Sequence, residues 1–320
     1  MASKGENTTA GESATNLGSA DLGKWVCLEN ARGCVATAAR ITLASRLAVV
    51  LHHLPGAGGR DDASIEHVHQ LRVGTRRVIA ALELYQDVIP RKRADRMAVQ
   101  MKRIRRVAGV ARDLDVLLMR YRETQPRSYK RLARRLKPLR REARKAIMQL
   151  DHDLMKKDRL PRRAKKLLDS IDCKRDIDLD EFARTQLADQ SERFFRKSRS
   201  DLERVDRLHR FRIQSKRLRY TIELLGDVLP AEVRSEIYPV VCKVQDVLGE
   251  LNDHAIARGR MKRLANSEIK PRRIKRLKTL AKKEQRMMEE TQLKFHLWWT
   301  PDFRDDLEKS VERILHGLSH

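Results

Sequence analysis

Apolar residues recur at three- and four-residue intervals along most of the chain, and no segment alternates convincingly with period two, so the pattern predicts helices rather than strands. A first helix is expected over 22–54, carried by Trp25, Leu28, Val35, Ala38, Ala39, Leu43, Leu47 and Val50. The turn-rich run from Pro55 to Asp62 follows, then a helix with Ser64 as its N-cap that ends before Pro90. Further helices are expected over 92–123 and, opened by Pro126, over 127–158. The segment 161–179 is basic, then acidic, and short-helical at most, which makes it the expected connection between two halves. The second half runs through helices over 180–204, from an Asp206 cap to Leu229, over 231–265 and 272–296, and from Pro301 to about Leu318. Residues 1–21 are rich in Ser, Thr, Gly, Asn and Ala, a composition that cannot bury enough surface to order itself.

The two halves echo each other. His69–Pro90 reads HQLRVGTRRVIAALELYQDVIP and residues 209–230 read HRFRIQSKRLRYTIELLGDVLP, at an ungapped offset of 140. His69, Arg72, Arg76 and Arg77 fall on His209, Arg212, Lys216 and Arg217, and Val107, Gly109 and Asp113 fall on Val247, Gly249 and Asp253. A repeat of this length predicts a duplicated unit. The expected fold is all-α: two four-helix bundles over 22–160 and 180–320, related by a pseudo-twofold, with a central basic channel.

At about 100° per residue, His69, Arg72 and Arg76 share one side of their helix, while Leu71, Val78, Leu82 and Tyr85 share the other. The second copy opposes Phe211, Leu218, Ile222 and Leu225 to His209, Arg212, Lys216 and Arg219. A single cationic face is ordinarily a solvated one; keeping it in register across two diverged copies points to a shared basic cleft. The charge balance sharpens this, since the net charge is +26 with pI near 10.4, more than solubility requires. Such a field attracts polyanions: nucleic acid, an anionic membrane surface or inorganic polyphosphate. Arg supplies a planar fork for two phosphate oxygens and Lys a mobile point charge. Beyond the motif helices, Lys102, Arg105, Arg106 and Arg112 in the first half, and Arg217, Tyr220 and Lys243 in the second, complete the candidate set.

Other chemistry finds less support. There is no H-E-x-x-H and no cysteine pair to hold a metal, so no cofactor is expected. His69 and His209 are read as phosphate-contacting and partly cationic, with buried structural histidines as the alternative. Asp113, Asp115 and Asp253 are expected to cap helices and orient arginines, and Trp298-Trp299 to pack over the bundle end. Cys27 and Cys34, on one expected helix, stand about 10 Å apart in rise, too far for a bridge. No apolar run approaches the ~18 residues of a membrane span and the N-terminus has no charged-then-apolar signal pattern, which predicts a cytoplasmic chain without a membrane partner.

The pattern H-x-x-R-x-x-x-[RK]-R followed by an acidic L-G-x-x-[RN]-D element resembles the CHAD domain, the conserved histidine α-helical domain. The second element is supplied by Gly109 through Asp115 and by Leu248 through Asp253, with Asn252 standing where Arg112 stands in the first copy. The resemblance spans roughly 22–317 and implies non-enzymatic binding of inorganic polyphosphate and, in bacteria, recruitment to polyphosphate granules. CHAD domains are often joined to a triphosphate tunnel domain bearing E-x-E-x-K; neither that motif nor a P-loop occurs here. The alternative is generic nucleic-acid binding at low salt, although Tyr220 is the one aromatic on the basic faces where single-strand binders use stacking platforms.

Overall fold

The computed structural model describes residues 23–31, 33–59, 63–124, 126–172 and 178–317, so the tail expected over 1–21 lies outside it. The described residues are all-α. In chain order the helices are α1 (Val35–Gly56), α2 (Ala63–Leu84), α3 (Arg91–Thr124), α4 (Pro126–Met155), α5 (Arg159–Leu168), α6 (Leu179–Ser198), α7 (Val205–Leu225), α8 (Tyr238–Asn266), α9 (Pro271–Trp298) and α10 (Pro301–Gly317). α2 packs between α1 and α3, with α4 beside α3; α7 packs between α6 and α8, with α9 beside α8. The halves meet where α2 touches α7 and α1 touches α6.

Packing follows the apolar stripe. Val68, Leu71, Val78 and Leu82 are buried on α2, as Phe211, Leu218, Ile222 and Leu225 are on α7. Truncating any one of these leucines to alanine would cost about 2–5 kcal/mol through lost burial and the cavity left behind. With those sides fixed inward, the cationic sides of both helices are aimed by the core.

The structure departs from the sequence expectation at several ends. The first helix begins at Val35, because a 3-10 turn at Glu29–Ala31 and Gly33 in the left-handed region (φ 71°) interrupt it. Residues 23–31 instead cross to the second half as a strap. There the Leu28 N–H donates to Asp227 Oδ2 at 2.8 Å, and Trp25 lies against Tyr238 with ring centroids 4.7 Å apart. Arg46, fully buried on α1, holds the strap by donating to the Gly23 and Lys24 carbonyls at 2.7 and 2.8 Å. Cys27 and Cys34 therefore do not share a helix, and each is a thiol rather than half of a disulfide, as is Cys242.

Ser64 falls inside the first turn of α2 rather than at its cap. Asp206 likewise sits inside α7, where its carboxylate accepts from Arg204 and Arg210 at 3.3 Å each and complements the helix dipole. A cap the sequence reading missed is Asp178, whose Oδ1 accepts the Glu181 N–H at 2.8 Å to open α6. The helix expected over 231–265 is broken by a π turn at Val233–Ile237, next to Pro239, which lacks the N–H that would reach residue 235. After α4 the backbone reverses through left-handed Lys157 and Asp158 (φ 54° and 52°) into α5, whose Leu160, Ala164 and Leu167 are buried against the first half.

α1 is long and apolar enough to cross a membrane by length and composition, although no such run was expected. More than half of that window is buried, and α1 packs against α2, α4, α5 and α6. Trp299 is buried among Phe194, Phe211, Phe295 and Phe303, so the aromatic pair does pack over the bundle end.

Candidate functional site

The site is built outward from α2. Its buried face directs His69, Arg72 and Arg76 toward α3 and the second half. Arg72 runs along α3, donating through Nη1 to the Arg105 carbonyl at 3.3 Å. Gly109 makes room for this: a Cβ there would fall inside contact distance of Arg72 Nη1. Arg76 Nε donates to the Arg72 carbonyl at 3.3 Å. On α3, Arg112 and Asp113 stand half-buried beside these groups.

The second half brings its own cations to the same place. Lys216 on α7 is pushed down to about 7, first by burial and then by the charges of Arg212, Arg76, Arg105 and Arg72. Three of those four neighbours belong to the first half. Burial also lowers Arg212, with Arg76 adding to the effect and Asp253 opposing it. Burial lowers Arg72 and Arg112 as well, and carboxylates partly offset it: Asp113 for Arg72; Asp115, Glu66 and Asp253 for Arg112. Burial raises Asp113, against the pull of Arg72, Arg260 and Arg112. α2, α3, α7 and α8 thus converge on one half-desolvated basin in which cations outnumber acids. Such a basin favours losing protons unless an anion enters.

His69 belongs to this basin, but burial and then Arg112 hold it below its ordinary value, with Glu66 opposing. In the unliganded protein this disfavours the partly cationic imidazole that the sequence pattern predicts. Its counterpart His209 is exposed at the start of α7, where it lines an open hollow of about 830 Å³ with Arg204, Asp206 and Arg210.

Other expected residues are placed elsewhere. Arg77 is buried between the halves, with Nε and Nη2 each 3.0 Å from Glu223 Oε2. Glu223 Oε1 accepts from Arg219 Nε, one turn back on α7, at 2.8 Å and from the Tyr238 hydroxyl at 2.9 Å, so Arg77 clamps α2 to α7 through a carboxylate that Arg219 and Tyr238 hold in place. Lys102, Arg106 and Arg217 are exposed. Lys243 Nζ stacks 4.1 Å from the Trp298 ring centroid, among the aromatics. Tyr220 lies near enough to Arg212 to influence its charge.

The acidic element is helical in both copies, inside α3 and α8, so its carboxylates cap nothing. They do orient arginines. Buried Asp115 accepts from Arg140 Nε and Arg144 Nη2 at 2.7 Å each, and Arg144 Nη1 reaches the Ala57 and Ser64 carbonyls at 2.7 and 2.9 Å. A second clamp joins the halves: Arg120 on α3 donates to Glu284 on α9 at 3.1 Å, and His254 Nδ1 lies 2.7 Å from the same oxygen. Sequence reasoning missed Arg260, two turns beyond Asp253 on α8, and Glu66, one turn before His69. Helical spacing from those acknowledged residues is the signal that could have found them. Among the described residues no group of three or more His, Cys, Asp or Glu side chains is arranged to hold a metal ion.

Comparison with known proteins agrees with this architecture. The family model for the CHAD domain matches residues 41–262. The crystal structure of the CHAD domain from the plant Ricinus communis superposes with a TM-score of 0.65 at 20% identity, covering 88% of this chain and 92% of that one. PptA from Streptomyces chartreusis superposes with a TM-score of 0.61 at 17% identity, covering 83% of this chain and 99% of that one. No curated protein sequence matches the chain.

Proposed function

The chain belongs to the CHAD domain family, one associated with polyphosphate binding, and from that premise we propose that it binds inorganic polyphosphate in the basin between α2, α3, α7 and α8. The carrying observation is the gathering of cations from both halves: half-buried Lys216 and Arg212 of α7 stand close enough to Arg72, Arg76 and Arg105 for those charges to add to the burial that pushes Lys216 down to about 7. A basin that strains to lose protons is one whose charge a polyphosphate chain would restore. Arg72, Arg76, Arg105, Arg112, Arg212 and Lys216 are the contacts of this reading, with His69 as a neutral donor that becomes cationic as phosphate settles beside it. Neutralising six or more phosphates would make affinity fall roughly a thousandfold or more between low and moderate salt. The two halves are read as products of one duplication, and the protein as a non-enzymatic binder that is cytoplasmic and recruited to polyphosphate granules.

The competing reading is a generic polycation that takes nucleic acid at low salt. Competition separates them: labelled long-chain polyphosphate is bound at moderate salt and challenged with duplex DNA or RNA. Retention of polyphosphate at equal phosphate concentration is expected, and displacement would favour the generic reading. Arg72→Ala with Arg212→Ala should weaken binding on the order of a hundredfold or more, since each removes a charge-assisted contact of about 1.5–3 kcal/mol. The exposed pair Lys282→Ala with Lys283→Ala should cost far less; equal losses would show that charge count alone carries the binding.

A further inference from the structure

A second basic concavity lies between α4 and α9, away from the motif helices. Arg131, Arg134 and Arg135 of α4 face Arg272, Lys275 and Arg276 of α9 across a cleft of about 1130 Å³, floored by Leu132, Leu277 and Leu280. Arg131 and Arg135, like Arg272 and Arg276, stand four residues apart, so each helix offers cations in steps of about 6 Å along the groove. Like charges at this spacing repel, and facing rows repel again.

One internal acid answers them. Glu268, in the turn between α8 and α9, pairs closely with Arg135 and lies 3.8 Å from Arg273. Its Oε1 also accepts the Ile269 and Lys270 N–H groups at 3.1 and 3.2 Å. The rim of the cleft therefore already grips one anionic group, while the remaining cations line a space far larger than a single phosphate needs. An extended anion fits this better than a compact one.

Position suggests which. α3 carries Arg112 into the basin and Arg120 to its clamp on α9, about 12 Å further along the helix axis. Arg260 on α8, beside Asp113, stands on the same route. Resting on the polyphosphate reading of the basin, we infer that the α4–α9 cleft is a second binding site, filled by the distal part of a long polyphosphate chain whose other part occupies the basin. Linking the two contacts through one chain raises avidity without any new interaction, so affinity depends on chain length.

The test uses the full chain with two probes, tripolyphosphate and long-chain polyphosphate. Arg131→Gln with Arg276→Gln, both exposed, should weaken the long chain by about tenfold or more and lower its salt slope by about two, leaving tripolyphosphate unchanged. Unaltered long-chain affinity and salt slope would overturn the inference. So would an equal loss from Lys92→Gln with Arg93→Gln, an exposed pair on α3 outside the cleft. Arg72→Ala with Arg212→Ala reports separately on the basin: loss of tripolyphosphate binding supports that reading. Retained tripolyphosphate binding there would sink the basin reading and, with it, the bridging chain, whereas failure of the cleft variant alone leaves the basin intact.

Discussion

α2 and α7 carry the same motif and use it differently. His69 sits in the basin under the influence of Arg112, whereas His209 faces solvent beside Asp206. Arg77 is buried on Glu223, while its counterpart Arg217 is exposed, as is Glu83, the counterpart of Glu223. Gly109 lets Arg72 press against α3; a Cβ on Gly249 would meet nothing within 4 Å. The first copy supplies the anchored part of the site. The second supplies the titrating lysine and the carboxylate that locks the halves together. Residues in register across the two segments thus share a place in the sequence pattern, and their surroundings set what each of them contacts.

The sharpest break of this comparison is at the clamp. Glu223→Ala leaves Arg77 buried without its carboxylate and should cost about 3–5 kcal/mol in chemical denaturation, while Glu83→Ala should stay within about 0.5 kcal/mol. Similar losses at both positions would show that the two copies remain equivalent. Next comes the glycine pair. Gly109→Ala should displace Arg72 from the Arg105 carbonyl and weaken polyphosphate binding by about tenfold, with the fold intact. Gly249→Ala should leave affinity alone and add up to about 1 kcal/mol of helix stability. Titration of polyphosphate affinity and calorimetric stability together read both outcomes.

Lys216 gives a pH signature. In the free protein its pKa is about 7; an anion in the basin favours the charged form and lifts that value, so binding takes up protons. Affinity should therefore fall severalfold as pH rises from 7 toward 9, and proton uptake should appear as a buffer-dependent binding enthalpy. His69, lowered in the free protein, adds a further gain on the acid side of 6.5. Lys216→Met should flatten the alkaline limb, and it should stabilise the unliganded protein by removing a desolvated cation. A flat profile between pH 6 and 9 would rule out this coupling. The smallest contrast is between histidines: His69→Ala should weaken binding a few-fold and His209→Ala hardly at all.

Much of this could be read from residue order. Helical periodicity identified the buried sides of α2 and α7, and Pro90 and Pro230 marked where the motif helices give out. The repeat singled out Arg72, Arg76, Arg212 and Lys216, all of which reach the basin. It did not show the surroundings of Arg77, which lies at the edge of the basic face, where a carboxylate 146 positions away captures it. Nothing local in the sequence announces that partner. The start of α1 was missed for a similar reason: Trp25 and Leu28 keep helical spacing, yet Asp227 and Tyr238 in the other half offer them better partners. Arg260 and Glu268 escaped notice because each gains its meaning from a helix that folds back from the opposite half.

The strap held by Arg46 bears on any attempt to divide the protein. Because residues 23–31 finish the surface of α7 and the turn before α8, a cut near residue 172 would not release two self-sufficient copies of an ancestral repeat. The C-terminal fragment would bare the Trp25 footprint on Tyr238, and the N-terminal fragment would trail a loose ribbon. Mixed together, the two pieces should recombine as a split protein, with the ribbon acting as the address label.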